Sequence, residues 1–150
     1  MNSVKKKCII VDLDGTLTNC EHRVHHVQKS PKDWDSFNAE MVGDTLNEWC
    51  AELISGMRKQ GCVIILLTGR DDDYRSHTES WLKKHSIVYD ELYMRKAQDH
   101  RSDHIIKSET FLEFIAPQYE TLFVVEDRLS VVEMWRKLNV TCLQCDWGNF

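Results

Sequence analysis

The sequence predicts an α/β fold: a three-layer α/β/α, Rossmann-like arrangement around a mostly parallel sheet of about five strands, with a small cap insertion after the first strand. Three observations carry this prediction. Short apolar runs rich in β-branched residues, such as "KCIIVDL" at 7–13 and "CVIILLT" at 62–68, lack a regular polar alternate, as strands covered on both faces do. Amphipathic helical patterns lie between the runs, and that alternation builds a parallel sheet with right-handed crossovers. Polar and acidic residues close several runs, at the sheet edge where open α/β folds bind ligands.

Taken in order, the first run ends in Asp12 and Asp14 and turns on Gly15. Residues 18–44, "TNCEHRVHHVQKSPKDWDSFNAEMVGD", break the rhythm. They read as the insertion, lying over the C-terminal edge of the sheet, with one short helix around 32–41. Over 45–60, Leu46, Trp49, Cys50, Leu53, Ile54 and Met57 recur at helical steps, and Gly61 follows as a stop signal. The second run, 62–68, precedes a polar helix at 72–85 that turns Trp81 and Leu82 inward. "IVYDELYM" (87–94) is the weakest strand candidate. "SDHIIKSETFLEFIA" (102–116) starts at a Ser cap and stops before Pro117. The run 121–127 leads into a helix at 128–139 with Val131, Val132, Trp135 and Leu138 on one side, and 139–145 supplies the last strand. Trp49, Trp81 and Trp135 are expected in the core. Only the opening "MNSVKKK" reads as a disordered tail.

A chain of 150 residues suits one domain, 1–150, able to bury a core without staples. The net charge of −5 provides no overall excess of base for wrapping a duplex, so any nucleic acid should be touched at an end or over a few nucleotides. The six cysteines fall mostly within apolar runs, where they behave as small hydrophobes, and are expected reduced. No leader-like or membrane-spanning stretch is evident. A cytoplasmic location, in host cytoplasm if viral, is expected.

The ends of the apolar runs carry the chemistry. Asp12 and Asp14, then Thr68, Gly69 and Arg70, then Glu126 and Asp127, should share one sheet edge. Four carboxylates repel one another, and a hard divalent cation such as Mg²⁺ resolves this. Asp12 can attack phosphorus to form an aspartyl-phosphate, and Asp14 can move the proton to and from the leaving group and water. Their i, i+2 spacing puts both on one side of an extended chain. Thr68 and the backbone beyond it can hydrogen-bond phosphoryl oxygens. Lys107 is the best candidate to balance charge in the transition state, with Lys96 weaker.

"DLDGT", "LLTGR", a lysine and an acidic pair after an apolar strand occur in the order of the haloacid dehalogenase superfamily, which the chain resembles from Asp12 to Asp127. "LYMRKAQDHRSDHIIK" and "VVEDRLSVVEMWRKLNVTCLQ" extend the resemblance, almost end to end, to the 3'-phosphatase domain of bacteriophage polynucleotide kinases. It implies a Mg²⁺-dependent phosphomonoesterase acting on 3'-phosphorylated nucleic-acid ends or nucleotides. Asp12 would be the nucleophile, Asp14 the acid/base, and Thr68 and Lys107 the phosphoryl holders. Asp12, the Asp14 carbonyl, Glu126 and Asp127 would hold the metal, while Gly69, Arg70 and Arg23 would contact substrate. Many relatives carry two aspartates where this chain has Glu126-Asp127. The kinase signature G-x-x-x-x-G-K-[ST] is absent, so no ATP-dependent step is implied.

Other readings attach to particular residues. Arg70 could pair within "GRDDD". Arg95 and Arg101 could steer a nucleic-acid backbone. Trp34 and Phe37 could stack on a base or seat the short helix, and seating is favoured. His22, His25 and His26 do not match tetrahedral zinc spacing. A small-molecule phosphatase or nucleotidase, favoured by the acidic charge, and a non-catalytic binding module are the alternatives. An insertion of about 25 residues is too short to enclose a substrate fully and leaves an open site.

Overall fold

In the computed structural model, which describes residues 4–148, a five-stranded parallel sheet has the order β5-β4-β1-β6-β7. The strands are β1 (Lys6–Val11), β4 (Val63–Asp71), β5 (Glu91–Arg95), β6 (Tyr119–Glu126) and β7 (Cys142–Gln144). Residues β2 (Thr18–Asn19) and β3 (Thr45–Leu46) form a separate antiparallel ribbon. The helices are α1 (Glu21–Val24), α2 (Trp34–Ala39), α3 (Glu48–Lys59), α4 (Arg75–Lys84), α5 (Asp103–Thr110, continued by a π turn over Phe111–Ile115) and α6 (Leu129–Lys137).

The unbroken apolar run 8–11 of β1 follows from the strand's central place. Its residues alternate between two cores. Cys8 and Ile10 join Ile65, Leu67, Val124, Phe111 and Trp135 under α5 and α6. Ile9 and Val11 join Ile64, Leu66, Cys50, Ile54 and Trp81 under α3 and α4. Each fully buried Ile or Leu contributes roughly 1.5–3 kcal/mol, so the two faces together anchor the strands whose ends build the site.

The insertion is pinned at both ends by the β2–β3 ribbon, where Thr18 pairs with Leu46 and Asn19 with Thr45. It has a small core of its own, Cys20, Val27 and Phe37. Besides the expected helix, found at Trp34–Ala39, it contains α1, which is too short to leave an apolar period in the sequence.

Three expectations are corrected. Trp49 is 48% exposed: the buried stripe of α3 runs through Cys50 and Ile54, and Trp49 lies about 100° to one side of Cys50. Lys6 and Lys7 belong to β1 and Lys5 donates to the Ala116 carbonyl, so the opening tail is shorter than expected; positions 1–3 lie outside the described residues. Strand β4 continues three residues past Thr68, because Asp71 still pairs with Arg95 after a register shift. All six cysteines are unpaired, and among the described residues no helix is long and apolar enough to cross a membrane.

Candidate active site

Strands β1, β4 and β6 are neighbours, so their C-terminal ends bring Asp12, Thr68 and Glu126 to one edge. Oxygens of Asp12, Glu126 and Asp127 lie within 4.8 Å of one another, and all three residues are buried. Lys107 reaches them from α5. Its Nζ donates to Asp12 Oδ1 at 2.9 Å and Glu126 Oε2 at 2.8 Å. Thr16 Oγ1 donates to Asp12 Oδ2 at 3.3 Å and Asp127 Oδ1 at 3.5 Å. Gly15, at φ +84°, makes the turn behind the carboxylates, and a Cβ there would overlap the Asp127 carboxylate.

The electrostatics are those of an anionic cluster short of positive charge. Burial and the charge of Glu126 push the Asp12 carboxyl well above its usual range, against the pull of Lys107. The same two causes push Asp127 up to about 7. Burial works against the Lys107 ammonium, but Asp12 and Glu126 outweigh it and hold the lysine charged beyond its ordinary range. The donor set is hard oxygen throughout, which fits a divalent cation of the Mg²⁺ type. Glu126 is the more engaged of the acidic pair: Oε2 takes Lys107, and Oε1 accepts the Asp127 and Arg128 backbone N–H groups at 3.2 and 3.3 Å.

Asp14 faces a second cluster. Arg23 Nη2 donates to its Oδ1 at 2.5 Å, and Arg70 Nη2 at 2.7 Å, with Arg70 Nε bridging both oxygens. Burial would raise the Asp14 carboxyl; the guanidiniums of Arg70 and Arg23 prevail and hold it well below the usual carboxylate range. Both arginines also reach Asp44, which accepts from Arg23 Nε at 2.7 Å and Nη2 at 2.5 Å, and from Arg70 Nη2 at 3.4 Å. Arg23 is fully buried, with its guanidinium 4.1 Å from the centre of the Phe37 ring. Arg70 therefore pairs across the site with Asp14 and Asp44, not within "GRDDD".

Thr68 is buried, and its Oγ1 accepts the Arg70 N–H at 3.1 Å. At Gly69 a Cβ would overlap the Asp103 carboxylate. Asp103 joins two further cations: Arg95 pairs with one oxygen and Arg128 Nη1 lies 2.9 Å from the other. Arg95 is spent on this inner wall, since it also donates to the carbonyls of Gly69, Asp99 and Arg101. Arg101 forks onto Asp99 and Glu109 at the surface. Both arginines line the cleft of the site, with their guanidiniums engaged by protein acceptors. Lys96, the weaker lysine candidate, lies just past the end of β5, and none of the cluster contacts runs to it.

Sequence reasoning missed Thr16, Asp44 and Asp103. Thr16 lies inside the quoted "DLDGT". Asp103 precedes Lys107 by one helical turn, a spacing that places both on one face. Asp44 has no comparable signal, because its place depends on how the insertion closes.

A cleft of about 630 Å³ opens on these residues, with Lys32, Trp34, Tyr74 and His104 also in its lining. Parallel topology, acidic strand ends on one edge, a buried lysine across them and a short cap define a phosphatase of the haloacid dehalogenase superfamily. Residues 6–150 match the family model of the polynucleotide kinase PNKP phosphatase domain, and the chain belongs to that family. It is 39% identical to a chain in the structure of the Pnkp1/Rnl/Hen1 RNA repair complex, with a TM-score of 0.85 over 97% of this chain and 44% of that one. It is 25% identical, over 89% of its length, to a provisionally named bifunctional polynucleotide kinase/RNA ligase of Autographa californica nuclear polyhedrosis virus, of which it spans 18%. The class C acid phosphatase of Bacillus anthracis, in its tungstate-bound structure, shares the fold at 12% identity and a TM-score of 0.69, over 99% of this chain and 69% of that one. The chain thus spans less than half of the first two relatives.

Proposed function

We propose that the protein removes the 3'-phosphate from nucleic-acid ends, with Mg²⁺ as cofactor and Asp12 as nucleophile. The carrying observation is the buried Asp12–Glu126–Asp127 cluster bridged by Lys107, in a chain 39% identical to a member of an RNA repair complex. Asp12, Asp127 and the Asp14 carbonyl would hold the metal directly. Glu126, whose Oε1 is turned back onto the Asp127 and Arg128 backbone N–H groups, would act from behind. Mg²⁺ when bound supplies the charge that lets the carboxylates ionise together and polarises a phosphoryl oxygen.

In the first step an Asp12 oxygen bonds to phosphorus as the bond to the sugar 3'-oxygen breaks, and Asp14 gives that oxygen a proton. In the second, Asp14 takes a proton from water as water attacks the aspartyl-phosphate, releasing phosphate and Asp12. Asp14 is held ionised by Arg70 and Arg23. To act as the acid it must take up a proton against the pull of these two guanidiniums. Lys107, Thr68 and the Gly69 backbone serve the phosphoryl oxygens.

The test compares phosphate release from matched 3'- and 5'-phosphorylated oligonucleotides in Mg²⁺. Release from the 3'-end alone is expected, with Asp12→Asn inactive. Equal rates from both ends, or activity on mononucleotides alone, would favour the small-molecule phosphatase reading.

A further inference from the structure

The insertion carries two aromatic residues with different surroundings. Phe37 is 2% exposed and covers Arg23, so it seats α2. Trp34, three residues earlier, is 40% exposed and lines the same cleft as Asp12, Asp14 and Arg70. Its exposure is not unusual in itself, but among the half-exposed aromatic residues its place in the lining of the charged cleft offers an indole surface to whatever enters there.

Its position is fixed. The Asp33 carboxylate caps α2 by accepting the Ser36 N–H at 3.0 Å and the Ser36 hydroxyl at 2.6 Å. Trp34 then meets Phe37 edge-on, with ring centres 5.6 Å apart. An aromatic surface held in place loses little freedom when a ligand stacks on it. The Lys32 ammonium lies over the ring at 5.5 Å from its centre and the Arg128 guanidinium over it at 5.7 Å. A base that stacks there takes the place of one of these cations, which then meets the phosphates. A ring and two cations lining the same cleft as the phosphoryl site match a ligand in which flat rings alternate with phosphates.

We propose that Trp34 stacks on the nucleobase of the nucleotide whose 3'-phosphate enters the site. Trp34 is then the residue that makes a nucleic-acid end a better substrate than a bare phosphate ester. This rests on the 3'-phosphatase reading above. Stacking is sequence-tolerant, because every base has a π face, so the platform recognises a base without selecting which one.

The test uses two 3'-phosphorylated oligonucleotides of one sequence, with the terminal sugar carrying its base or left abasic. For the unaltered protein KM is expected to be lower for the base-bearing end by roughly 5- to 150-fold, with kcat similar. Trp34→Leu, which keeps an apolar side chain at the start of α2, should erase the difference by raising KM for the base-bearing end only. Trp34→Phe should preserve much of it. Equal KM values in the unaltered protein overturn the proposal. So does a Trp34→Leu loss shared equally by both ends, the mark of a residue that merely seats the helix. No release from either end, with a simple phosphate ester still hydrolysed, overturns the 3'-phosphatase reading and this proposal with it.

Discussion

Arg23 has no contact with solvent, yet it keeps its charge because Asp14 and Asp44 face it within hydrogen-bond distance. Burial alone would pull the guanidinium down, and the two carboxylates more than compensate. Asp44 is the structural member of this set, since it also accepts from His22 at 2.8 Å, and its carbonyl takes the Trp81 indole N–H at 3.0 Å. Removing one partner of a buried ion pair leaves an uncompensated charge. Asp44→Ala should therefore cost about 3 kcal/mol or more, read as a lower urea midpoint at unchanged slope. Asp99→Ala, which breaks the exposed pair with Arg101, should leave the midpoint near that of the unaltered protein. Equal shifts in the two variants would mean that burial does not decide the strength of these pairs.

Helix α5 ties its own first turn to the site. Asp103, its first residue, sits between Arg95 and Arg128 while Lys107 one turn later reaches Asp12. Burial would raise the Asp103 carboxyl, but Lys107, Arg128 and Arg95 hold it below its ordinary value of 3.8. The sign follows directly. Near and below that value the unfolded chain takes up a proton that the folded chain refuses, so the stabilisation is complete at higher pH and is lost as pH falls through the depressed folded value. The gap in Tm between the unaltered protein and Asp103→Asn should be full at neutral pH and shrink below about pH 4; a constant gap would contradict the ion-pair account. This helix also shows what the sequence displays and what it hides. Its span, its Ser cap position and Lys107 were legible, because periodicity and spacing are local properties. Asp103 was missed, although its place four residues before Lys107 is a local signal that could have found it. The apolar strands were legible through their composition, and with them the acids at their ends. Asp44 and the burial of Arg23 were not, because they depend on the β2–β3 ribbon closing the insertion, and two-residue strands leave no pattern. Trp49 was misplaced because a stripe read at mixed three- and four-residue steps is wider than the face that α3 buries.

At the scale of the whole molecule, strand order creates the site and strains it. With β1 beside β6, Asp12 just past the end of one meets Glu126 and Asp127 at the end of the other, so the three converge by topology. Among the described residues, Lys107 is the one cationic side chain that hydrogen-bonds to these three carboxylates, reaching Asp12 and Glu126. The sheet holds them together because both of its faces are buried, and the repulsion is stored in the folded state alone, since the unfolded chain separates Asp12 from Asp127. A cation that binds only the folded state should then raise stability by mass action, about 2.7 kcal/mol at a concentration one hundred times its Kd. Thermal unfolding near pH 8, in chelator and then in excess Mg²⁺, should show Tm rising with the metal. Asp127→Asn should reverse the pattern. Without metal it should melt at or above the unaltered protein, because one mutually repelling carboxylate is gone, and added Mg²⁺ should no longer raise its Tm. Glu126→Gln should instead melt lower in chelator, because Lys107 loses a charged partner, and should keep part of the Mg²⁺ response. If Asp127→Asn retained the full metal-dependent rise, the direct ligand would lie elsewhere in the cluster. If it melted well below the unaltered protein in chelator, hydrogen bonding through Thr16 would outweigh repulsion at that carboxylate.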